Sequence, residues 1–551
     1  MTQTARPAIA TGPSPLRITE LRWERVQLVI RVATAGGSVP DGLRLRRRGG
    51  HDDEWMTPTS VRPAGDGPEQ LVRFNVMQGP GLMPLEPGEW VLETGDLSGS
   101  RGIPTQVVID DPSLRPVDVV GRFELTRGVY TATPMVDPGD GRFALMVSLG
   151  PPVLRPGQEL SPPVPWTLTR VRNRIIRRLR RPMFQVLFRL ARLVARRNGR
   201  RVLFSSDSRA DLGGNLLEVY DRMVARGLDR DYELLRIFKP SIAERRPMSD
   251  RFRLPWLLAR ADVVLIDDYQ PVIYRIDDPA MRIVQLWHAS GAFKTVGYSR
   301  VGKPGGPSPY SRVHKNYTHA IVSSDHDVPF YAEAFGIPEA RVVPTGIPRM
   351  DRFFDAEKQA AAREAAYERF PAARGRRTIL FAPTFRGPPR LATYGTEHLD
   401  FAALHGLAVE QDAVVIFKMH PFVREPLEIP QAYTDRLVDA TTTDIDVNDL
   451  LFVVDLLVTD YSSIVFEFST LGRPMLFFAY DLDEYVAERD FYVPFEEFVP
   501  GRIVRTFPEL LDAIRRDDVQ LDKVDVFARR HFAHLDGSST DRVIDELVIG
   551  R

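Results

Sequence analysis

A histidine and a lysine occur where a side chain can reach a substrate. The segment QLWHASG follows a predicted strand and contains His288 and Ser290, with Lys294 shortly after it. Because imidazole titrates near neutral pH, His288 is a candidate general base, and the small residues beside it allow a ligand to approach closely. The alternative is a buried histidine that bonds only to the backbone, and the sequence leaves both open.

Two further segments carry groups that suit phosphate. The segment FAPTFRG offers Thr384 and Arg386, and a planar guanidinium matches phosphate geometry. The segment KMHP places Lys418 and His420 on one face of an extended chain, which predicts that both meet a pyrophosphate. The alternatives are a solvated arginine at a strand end and a single capping hydrogen bond.

The fourth segment reads as a strand, a turn, a helix and a second strand. The strand is predicted at Leu456–Thr459, the turn contains Asp460, Ser462 and Ser463, and the helix is predicted at Ile464–Leu471. Unpaired N–H groups and the positive end of the dipole attract anions to the start of a helix. The two serines therefore predict a phosphate site, although simple capping of the helix explains them equally well.

The elements that position these groups indicate an α/β fold. Strands alternate with helices in two series, 201–370 and 371–551, which predicts two Rossmann-like, doubly wound domains that face a cleft. Closing helices are predicted at Phe507–Arg516 and Phe527–Val548. Short alternating runs between turns predict a β-sandwich-like accessory domain at 15–155.

An arginine-rich segment separates the β-rich region from the α/β region. Residues 1–14 resemble a disordered tail, and 156–200 comprise a proline-rich linker followed by a basic amphipathic helix. The stretch 166–201 holds thirteen arginines and no acidic residue. It predicts binding to an anionic membrane surface; the alternatives are a domain-connecting helix and a nucleic-acid arm. No aromatic stacking motif accompanies the arginines, so we expect no nucleic-acid partner.

Composition excludes several other classes of protein and site. The chain of 551 residues has zero net charge and no cysteine, which excludes disulfides, thiolate metal sites and a cysteine nucleophile. It has neither a signal peptide nor an apolar run of the length that spans a membrane. It contains neither a P-loop nor a GxGxxG fingerprint, and no grouping has metal-ligand spacing, so we expect no cofactor and no metal.

Taken together and in order, these segments resemble one family. The matching segments are QLWHASGAFKTVG, PTGIPRMDRF, ILFAPTFRG, KMHPF, VTDYSSIVFEFSTLGRPMLFFAYDLDEY and FYVPFEEFVPG. They are similar to those of the CDP-glycerol glycerophosphotransferases, which include the ribitol phosphate transferases of teichoic acid synthesis. The resemblance covers about residues 200–520 and implies a GT-B-like fold and peripheral binding at the cytoplasmic face of the cell membrane.

The resemblance also implies roles for individual residues. His288 matches the proposed base, and His420 matches a histidine that contacts the donor phosphates. The remaining residues predicted to bind the donor are Arg386, Lys418, Asp460, Ser462, Ser463 and Glu467. The residues predicted on the acceptor side are Asn215, Ser290 and Lys294. The sequence departs from the family pattern after the first histidine, where Ala289 replaces the usual glycine and Gly291 follows two residues later.

The implied reaction transfers a polyol phosphate and releases CMP. The donor is CDP-glycerol or CDP-ribitol, and the acceptor is a hydroxyl of a lipid-linked polyol phosphate polymer. His288 is predicted to take the proton of the acceptor hydroxyl, and Glu467 to reach a nucleotide hydroxyl. The alternatives are a GT-B glycosyltransferase that uses a nucleotide sugar and a non-catalytic protein that binds a cell-surface polymer.

Overall fold

A computed structural model describes residues 15–152 and 183–550 of the chain. Within these ranges it leaves out 34–37, 52, 66, 95–101, 112, 127, 140, 243, 245, 277, 388–391 and 424. The predicted tail at 1–14, the proline-rich linker and the predicted helix as far as residue 182 lie outside the described residues.

The N-terminal region forms two mainly antiparallel sheets, in agreement with the β-rich pattern of its sequence. Its strands are β1 (Leu16–Glu24), β2 (Gln27–Ala33), β3 (Arg44–Arg47), β4 (Trp55–Met56), β5 (Ser60–Pro63), β6 (Glu69–Asn75), β7 (Gly88–Thr94), β8 (Ile103–Pro104), β9 (Val107–Ile109), β10 (Gly121–Leu125), β11 (Gly128–Val136) and β12 (Phe143–Gly150). The sheet orders are β5-β6-β2-β1-β9 and β10-β11-β12-β7-β3-β4, with β8 on β7. Apolar residues of both sheets, including Phe74 and Tyr130, share one core.

The next region contains a six-stranded parallel sheet. Its strands are β13 (Arg201–Ser206), β14 (Glu233–Phe238), β15 (Val263–Ile266), β16 (Arg282–Gln285), β17 (His319–Ile321) and β18 (Val342–Val343). Its helices are α1 (183–194), α2 (Gly214–Ala225), α3 (Met248–Arg260), α4 (Val328–Phe335) and α5 (Ala356–Arg369). The order β14-β13-β15-β16-β17-β18 reverses direction at β13, so a crevice is expected between the carboxyl ends of β13 and β15.

A second six-stranded parallel sheet follows. Its strands are β19 (Arg377–Phe381), β20 (Ala413–Phe417), β21 (Leu437–Asp439), β22 (Leu456–Thr459), β23 (Met475–Phe478) and β24 (Arg502–Val504). Its helices include α6 (Phe401–Glu410), α7 (Val447–Leu450), α8 (Ile464–Ser469), α9 (Leu482–Glu488), α10 (Phe495–Phe498) and α11 (Phe507–Arg516). The order β21-β20-β19-β22-β23-β24 places the reversal between β19 and β22. The strand predicted at Leu456–Thr459 is confirmed, and α8 ends two residues before its predicted end.

The C-terminal residues return to the first parallel sheet. The chain forms α12 (Asp522–His531), α13 (Ser539–Arg542) and a π-helical turn at Val543–Ile549, so the prediction of one helix over Phe527–Val548 is wrong. The break contains Gly537, whose φ of 67° is left-handed and suits glycine. After it, Arg226 Nη2 pairs with Asp545 at 2.6 Å and Arg282 Nη2 donates to the Val548 carbonyl at 2.8 Å.

A buried ion pair joins the sandwich to the first parallel-sheet region. The Glu333 side chain is fully buried and pairs with Arg25, whose Nε lies 2.6 Å from Oε1. Gln27 Nε2 donates to the same carboxylate at 2.5 Å. Tyr298 and Val301 extend this contact, because they pack into the core of the sandwich.

We expect Glu333→Gln to destabilise the protein by about 3–5 kcal/mol, because it leaves Arg25 buried without its counter-charge. Differential scanning calorimetry measures the loss as a lower melting temperature. The matched control is Glu364→Gln, which removes the exposed pair between Glu364 and Arg374 and should leave the melting temperature unchanged. Equal melting temperatures for the two variants would contradict the assigned role of Glu333.

Candidate functional site

The loop after β16 holds His288 in an unusual backbone conformation. Trp287 has a φ of 49°, which a bulky side chain adopts only when its surroundings impose it. The buried amide of Asn215 supplies that constraint, because its Nδ2 donates to the carbonyls of Leu286 at 3.0 Å and Trp287 at 2.8 Å. Gln285 Oε1 accepts from the Trp287 N–H at 2.8 Å. Asn215, predicted on the acceptor side, therefore positions the histidine loop from beneath.

His288 itself is about half exposed, with 53% of its side chain accessible. Its Nδ1 lies 3.4 Å from the carbonyl oxygen of Asp267 and 3.9 Å from Oδ1 of Asp268. A proton on Nδ1 therefore faces oxygen acceptors, which leaves Nε2 as the basic atom. This arrangement suits a general base, because protein oxygens at Nδ1 orient the imidazole ring and leave Nε2 to take a proton.

Two carboxylates beside His288 were missed by the sequence analysis. Asp267 is buried and pairs with Arg209 at 2.8 Å, and burial raises its pKa against the attraction of Arg209. Asp268 accepts a hydrogen bond from Ser208. Both follow β15 at the predicted crevice, and the available signal was the pair of aspartates that ends the apolar run VVLIDD.

At the crevice of the second sheet, Asp460 ties the ends of β19 and β22 together. Its buried carboxylate accepts from the backbone N–H groups of Thr384 at 2.7 Å and Tyr461 at 2.5 Å. Arg386 Nη2 donates to its other oxygen at 3.0 Å. Burial raises the pKa of Asp460, while the positive charge of Arg386 opposes that rise.

The sequence analysis predicted that Arg386 binds phosphate, but in the structure its guanidinium is bonded to protein groups. Besides Asp460, its guanidinium binds both oxygens of Asp481, at 2.5 and 2.9 Å, and the Thr384 carbonyl at 2.6 Å. These bonds use four of the five N–H groups of a guanidinium. Four tyrosine rings also lie 5.0–5.8 Å from its central carbon: Tyr394, Tyr461, Tyr480 and Tyr485. Arg386 therefore supports the structure of the site.

Lys294, which was predicted on the acceptor side, follows β16 of the first sheet, and its positive charge acts on His420, which follows β20 of the second sheet. Burial, together with the charge of Lys294, lowers the pKa of His420 to about 4, so this imidazole is neutral at pH 7. Its Nδ1 accepts from the Phe422 N–H at 3.1 Å, so Nε2 carries the proton and can donate it to an anion. Burial likewise lowers the pKa of Lys294 to about 8, although Asp460 attracts its charge. The pair offers a cation and a neutral donor to one ligand.

The sequence analysis predicted that Lys418 binds a pyrophosphate, but in the structure its ammonium is bonded to protein oxygens. Its ammonium donates to the carbonyls of Ala440 at 2.9 Å and Thr443 at 3.0 Å, and to Thr443 Oγ1 at 3.3 Å. An ammonium has three donors, and these contacts occupy them. Lys418 therefore fixes the loop after β21, whereas its neighbour His420 remains available.

The start of α8 leaves its serine hydroxyls available. Ser463 is exposed and makes no side-chain cap bond, and Ser462 Oγ accepts from the Ile464 N–H at a long 3.4 Å. Thr384 Oγ1 is buried near Asp460 and lacks a hydrogen-bond partner among the described residues. The hydrogen bonds expected if the two serines only capped the helix are therefore long or not formed.

Glu467 joins the two parallel-sheet regions rather than reaching free into a cleft. Its buried carboxylate accepts from Ser290 Oγ at 2.7 Å and pairs with Arg349 Nη2. Arg349 also donates to Ser290 Oγ at 3.1 Å, and its backbone N–H donates to Asn215 Oδ1 at 3.0 Å. Arg349 was missed as a site residue, although it stands in the matched segment PTGIPRMDRF. Ser290, predicted on the acceptor side, thus also contacts α8, whose residues were predicted to bind the donor.

Gly291 lies where the histidine loop packs closely against α8. A Cβ at this position would lie 2.2–2.7 Å from ring atoms of Phe466, a residue of α8. Such contacts are far below van der Waals distance, so only glycine allows α8 to pack against the histidine loop. The packing of α8 therefore requires the glycine at 291 in this chain.

Comparisons with known proteins identify the family. Residues 186–549 match the family model described as CDP-Glycerol:Poly(glycerophosphate) glycerophosphotransferase. The chain belongs to this family. The expected class of enzyme, a glycerophosphotransferase-like transferase of teichoic acid synthesis, is thereby confirmed.

Two curated relatives and one solved structure refine the comparison. The teichoic acid ribitol-phosphate polymerase TarK of Staphylococcus aureus (strain NCTC 8325 / PS 47) is 44% identical over 371 residues, covering 66% of this chain and 71% of TarK. The teichoic acid poly(ribitol-phosphate) polymerase of Bacillus spizizenii (strain ATCC 23059 / NRRL B-14472 / W23) is 40% identical over 378 residues, covering 68% of this chain and 60% of that protein. The structure of the wall teichoic acid polymerase TagF superposes with a TM-score of 0.55 at 21% identity, covering 68% of this chain and 94% of TagF. The TagF match supports the mixed α/β fold with parallel sheets.

We expect Asn215→Ala to lower both stability and turnover, because it leaves buried carbonyls and the Arg349 N–H without partners. Each such group costs about 1–3 kcal/mol. Calorimetry measures the first effect, and kcat measures the second. Asn198→Ala is the matched control, since Asn198 caps only an exposed turn at Arg200. An Asn215→Ala enzyme with normal kcat would show that the strained loop does not need this amide.

Proposed function

We propose that the chain transfers ribitol phosphate from CDP-ribitol to a hydroxyl of a lipid-linked polyol phosphate polymer and releases CMP, with glycerol phosphate from CDP-glycerol as the alternative. The main support is that the positive charge of Lys294 interacts electrostatically with both His420 and Asp460, which follow strands β20 and β22 of the second sheet. A pyrophosphate is a dianion that accepts many hydrogen bonds, and Lys294 and His420 offer it one charge and one neutral donor. The names of the two curated relatives favour ribitol.

We infer a GT-B-like arrangement in which the regions 201–370 and 371–551 form the acceptor and donor sides of a cleft. The TagF likeness and the two crevices support this arrangement, since ligands of open α/β sheets bind at such points. In this proposal the donor pyrophosphate lies against Lys294, His420 and the serines that begin α8. Thr384 Oγ1 supplies a further donor.

The chemical step in this proposal begins at His288. Nε2 takes the proton of the acceptor hydroxyl as that oxygen forms a bond to the β-phosphorus of the donor. The bond from this phosphorus to the bridging oxygen breaks, and CMP leaves with that oxygen. Lys294 and His420 stabilise the negative charge that develops on the leaving phosphate, which is the main task of protein groups in phosphoryl transfer.

The first test is a donor panel with wild-type protein and His288→Ala. Incubation with CDP-ribitol, CDP-glycerol and UDP-sugars should release CMP, fastest from CDP-ribitol, and no UDP. His288→Ala should reduce turnover by at least about a thousandfold, since it removes the base, while donor affinity stays within about twofold. His405→Ala is the control, because His405 pairs only with exposed Asp435. UDP release would favour a glycosyltransferase, and no release from any donor would favour a binding protein.

A second test uses the lowered pKa of Lys294. Below pH 8 the protonated amine attracts the pyrophosphate, and above pH 8 it loses this charge, so affinity for the CDP-polyol should fall as pH rises. The limiting slope is about tenfold per pH unit for one proton. Calorimetric titration from pH 7 to 9 measures it. Lys294→Met should weaken binding and abolish the slope, whereas Lys303→Gln, at an exposed pair with Asp490, should preserve it. A pH-independent Kd in wild type would contradict the assignment.

We also propose that α1 attaches the protein peripherally to an anionic membrane surface. Phe184 and Phe188 of this helix pack into the protein, while its outer face exposes Val186, Leu193 and Val194, the last two by 83% and 72%. Exposed arginines at 189 and 196 accompany them. An exposed apolar stripe beside cationic side chains suits the interface of an anionic bilayer. Among the described helices, none has the length and apolar character needed to cross a membrane.

Replacing both Leu190 and Leu193 by glutamate should reduce binding to vesicles of phosphatidylglycerol at least about tenfold, because each change removes apolar area and adds a repelled charge. Vesicle co-sedimentation measures the binding. Val409→Glu, at an exposed valine of α6, is the matched control. Unchanged vesicle binding of the double variant would contradict this proposal and indicate that α1 only connects domains.

A further inference from the structure

Two histidines and an aspartate come together far from His288 in sequence and outside the proposed donor site. His326 and Asp327 precede α4, and His531 is the last residue of α12. One ligand atom from each lies within 4.8 Å of the other two. His531 Nδ1 lies 3.8 Å from Asp327 Oδ1, which is too long for a hydrogen bond. The sequence analysis expected no metal site, and roughly two hundred residues separate these groups along the chain.

The cluster contains buried polar atoms that lack hydrogen-bond partners among the described residues. Asp327 is 0% exposed and His531 is 3% exposed. Asp327 Oδ2 and His531 Nδ1 both lack hydrogen-bond partners among the described residues. A buried carboxylate oxygen and a buried imidazole nitrogen without partners each cost free energy, so their shared location indicates a missing ligand.

The surroundings provide access and rigid walls. A cavity of about 190 Å³ is lined by both histidines, by the acidic residues Glu497 and Asp522, and by the basic residues Lys523 and Arg530. Rings of Phe498 and Phe527 pack against His531, at centroid distances of 5.6 and 4.4 Å. These rings fix one ligand while the cavity lets an ion enter.

Further contacts bear on whether a cation can bind here. Asp327 Oδ1 accepts weakly from the Ala292 N–H at 3.4 Å, so this ligand already has an orienting partner. Arg530 and Arg62 lie close enough to disfavour a cation, and the carboxylate of Asp327 opposes them.

We propose that His326, Asp327 and His531 bind one divalent transition-metal ion of the Zn²⁺ type, with water from the cavity as the fourth ligand. Two imidazoles and one carboxylate are the ligands that Zn²⁺ prefers over Mg²⁺ or Ca²⁺. Tetrahedral bonds of about 2 Å hold ligand atoms about 3.3 Å apart. Closure by about an ångström is therefore required, and partly exposed His326 provides the freedom for it.

The ion has a structural role, because its ligands come from two separate parts of the chain. It fastens α12 to the region that carries α4, beside the backbone of the histidine loop at Ala292. The inference does not depend on which donor the enzyme uses.

The test is calorimetric titration of the metal-free full-length protein with ZnCl₂, with metal content checked by emission spectroscopy. Wild type should bind about one equivalent and melt at a higher temperature with zinc. His326→Gln and Asp327→Asn should each weaken binding by about 100-fold or more and lose the thermal shift. His405→Gln is the matched control, since its His–Asp pair has no third ligand, and it should bind like wild type.

Two outcomes would overturn the proposal. One is the absence of saturable zinc binding to wild type, and the other is stoichiometric binding that His326→Gln leaves unchanged. Because His326 is partly exposed, this variant should fold even if Asp327→Asn does not, and its melting curve without metal verifies that.

Discussion

The buried carboxylate of Glu467 fixes how the two parallel-sheet regions meet. A buried charge must keep its partners, and here both partners, Ser290 and Arg349, belong to the opposite region. Ser290 stands two residues after His288, and Glu467 lies one turn into the helix that begins at Ser463. This ionic contact is therefore one of those that set the distance between the proposed base and the proposed pyrophosphate site. Any opening of the two regions must first break or rotate this contact.

Several groups that look like ligands in the sequence act as supports in the structure. Arg386 and Lys418 donate hydrogen bonds to protein oxygens, and Asn215 holds a strained backbone in place. Among the described residues, the groups proposed to bind the donor pyrophosphate are fewer and carry less charge: one lysine, one neutral histidine, two serines and a buried threonine. This division suits phosphoryl transfer, in which positioning and preorganised donors supply most of the catalysis.

The sequence predicted the local elements well and their mutual contacts poorly. Apolar periodicity defines a strand such as Leu456–Thr459, and a capping box at Thr506 and Glu509 defines the start of α11. By contrast, the roles of Arg349 and of the Asp267–Asp268 pair depend on residues distant in sequence, although the aspartates do end the apolar run VVLIDD. The same holds for Lys418, because its ammonium donates to carbonyls of the loop after β21. Motif order identified the family, whereas side-chain roles needed the folded arrangement.

The central claim is that a CDP-polyol binds with its pyrophosphate between Lys294 and His420, and with its β-phosphorus facing His288. A crystal structure of the His288→Ala protein with CDP-ribitol tests this most directly. We predict pyrophosphate oxygens within hydrogen-bond distance of Lys294 Nζ, His420 Nε2 and the serines that begin α8, with the ribitol phosphate facing position 288. A nucleotide bound elsewhere, or a β-phosphorus on the far side of His420 from position 288, would contradict the account.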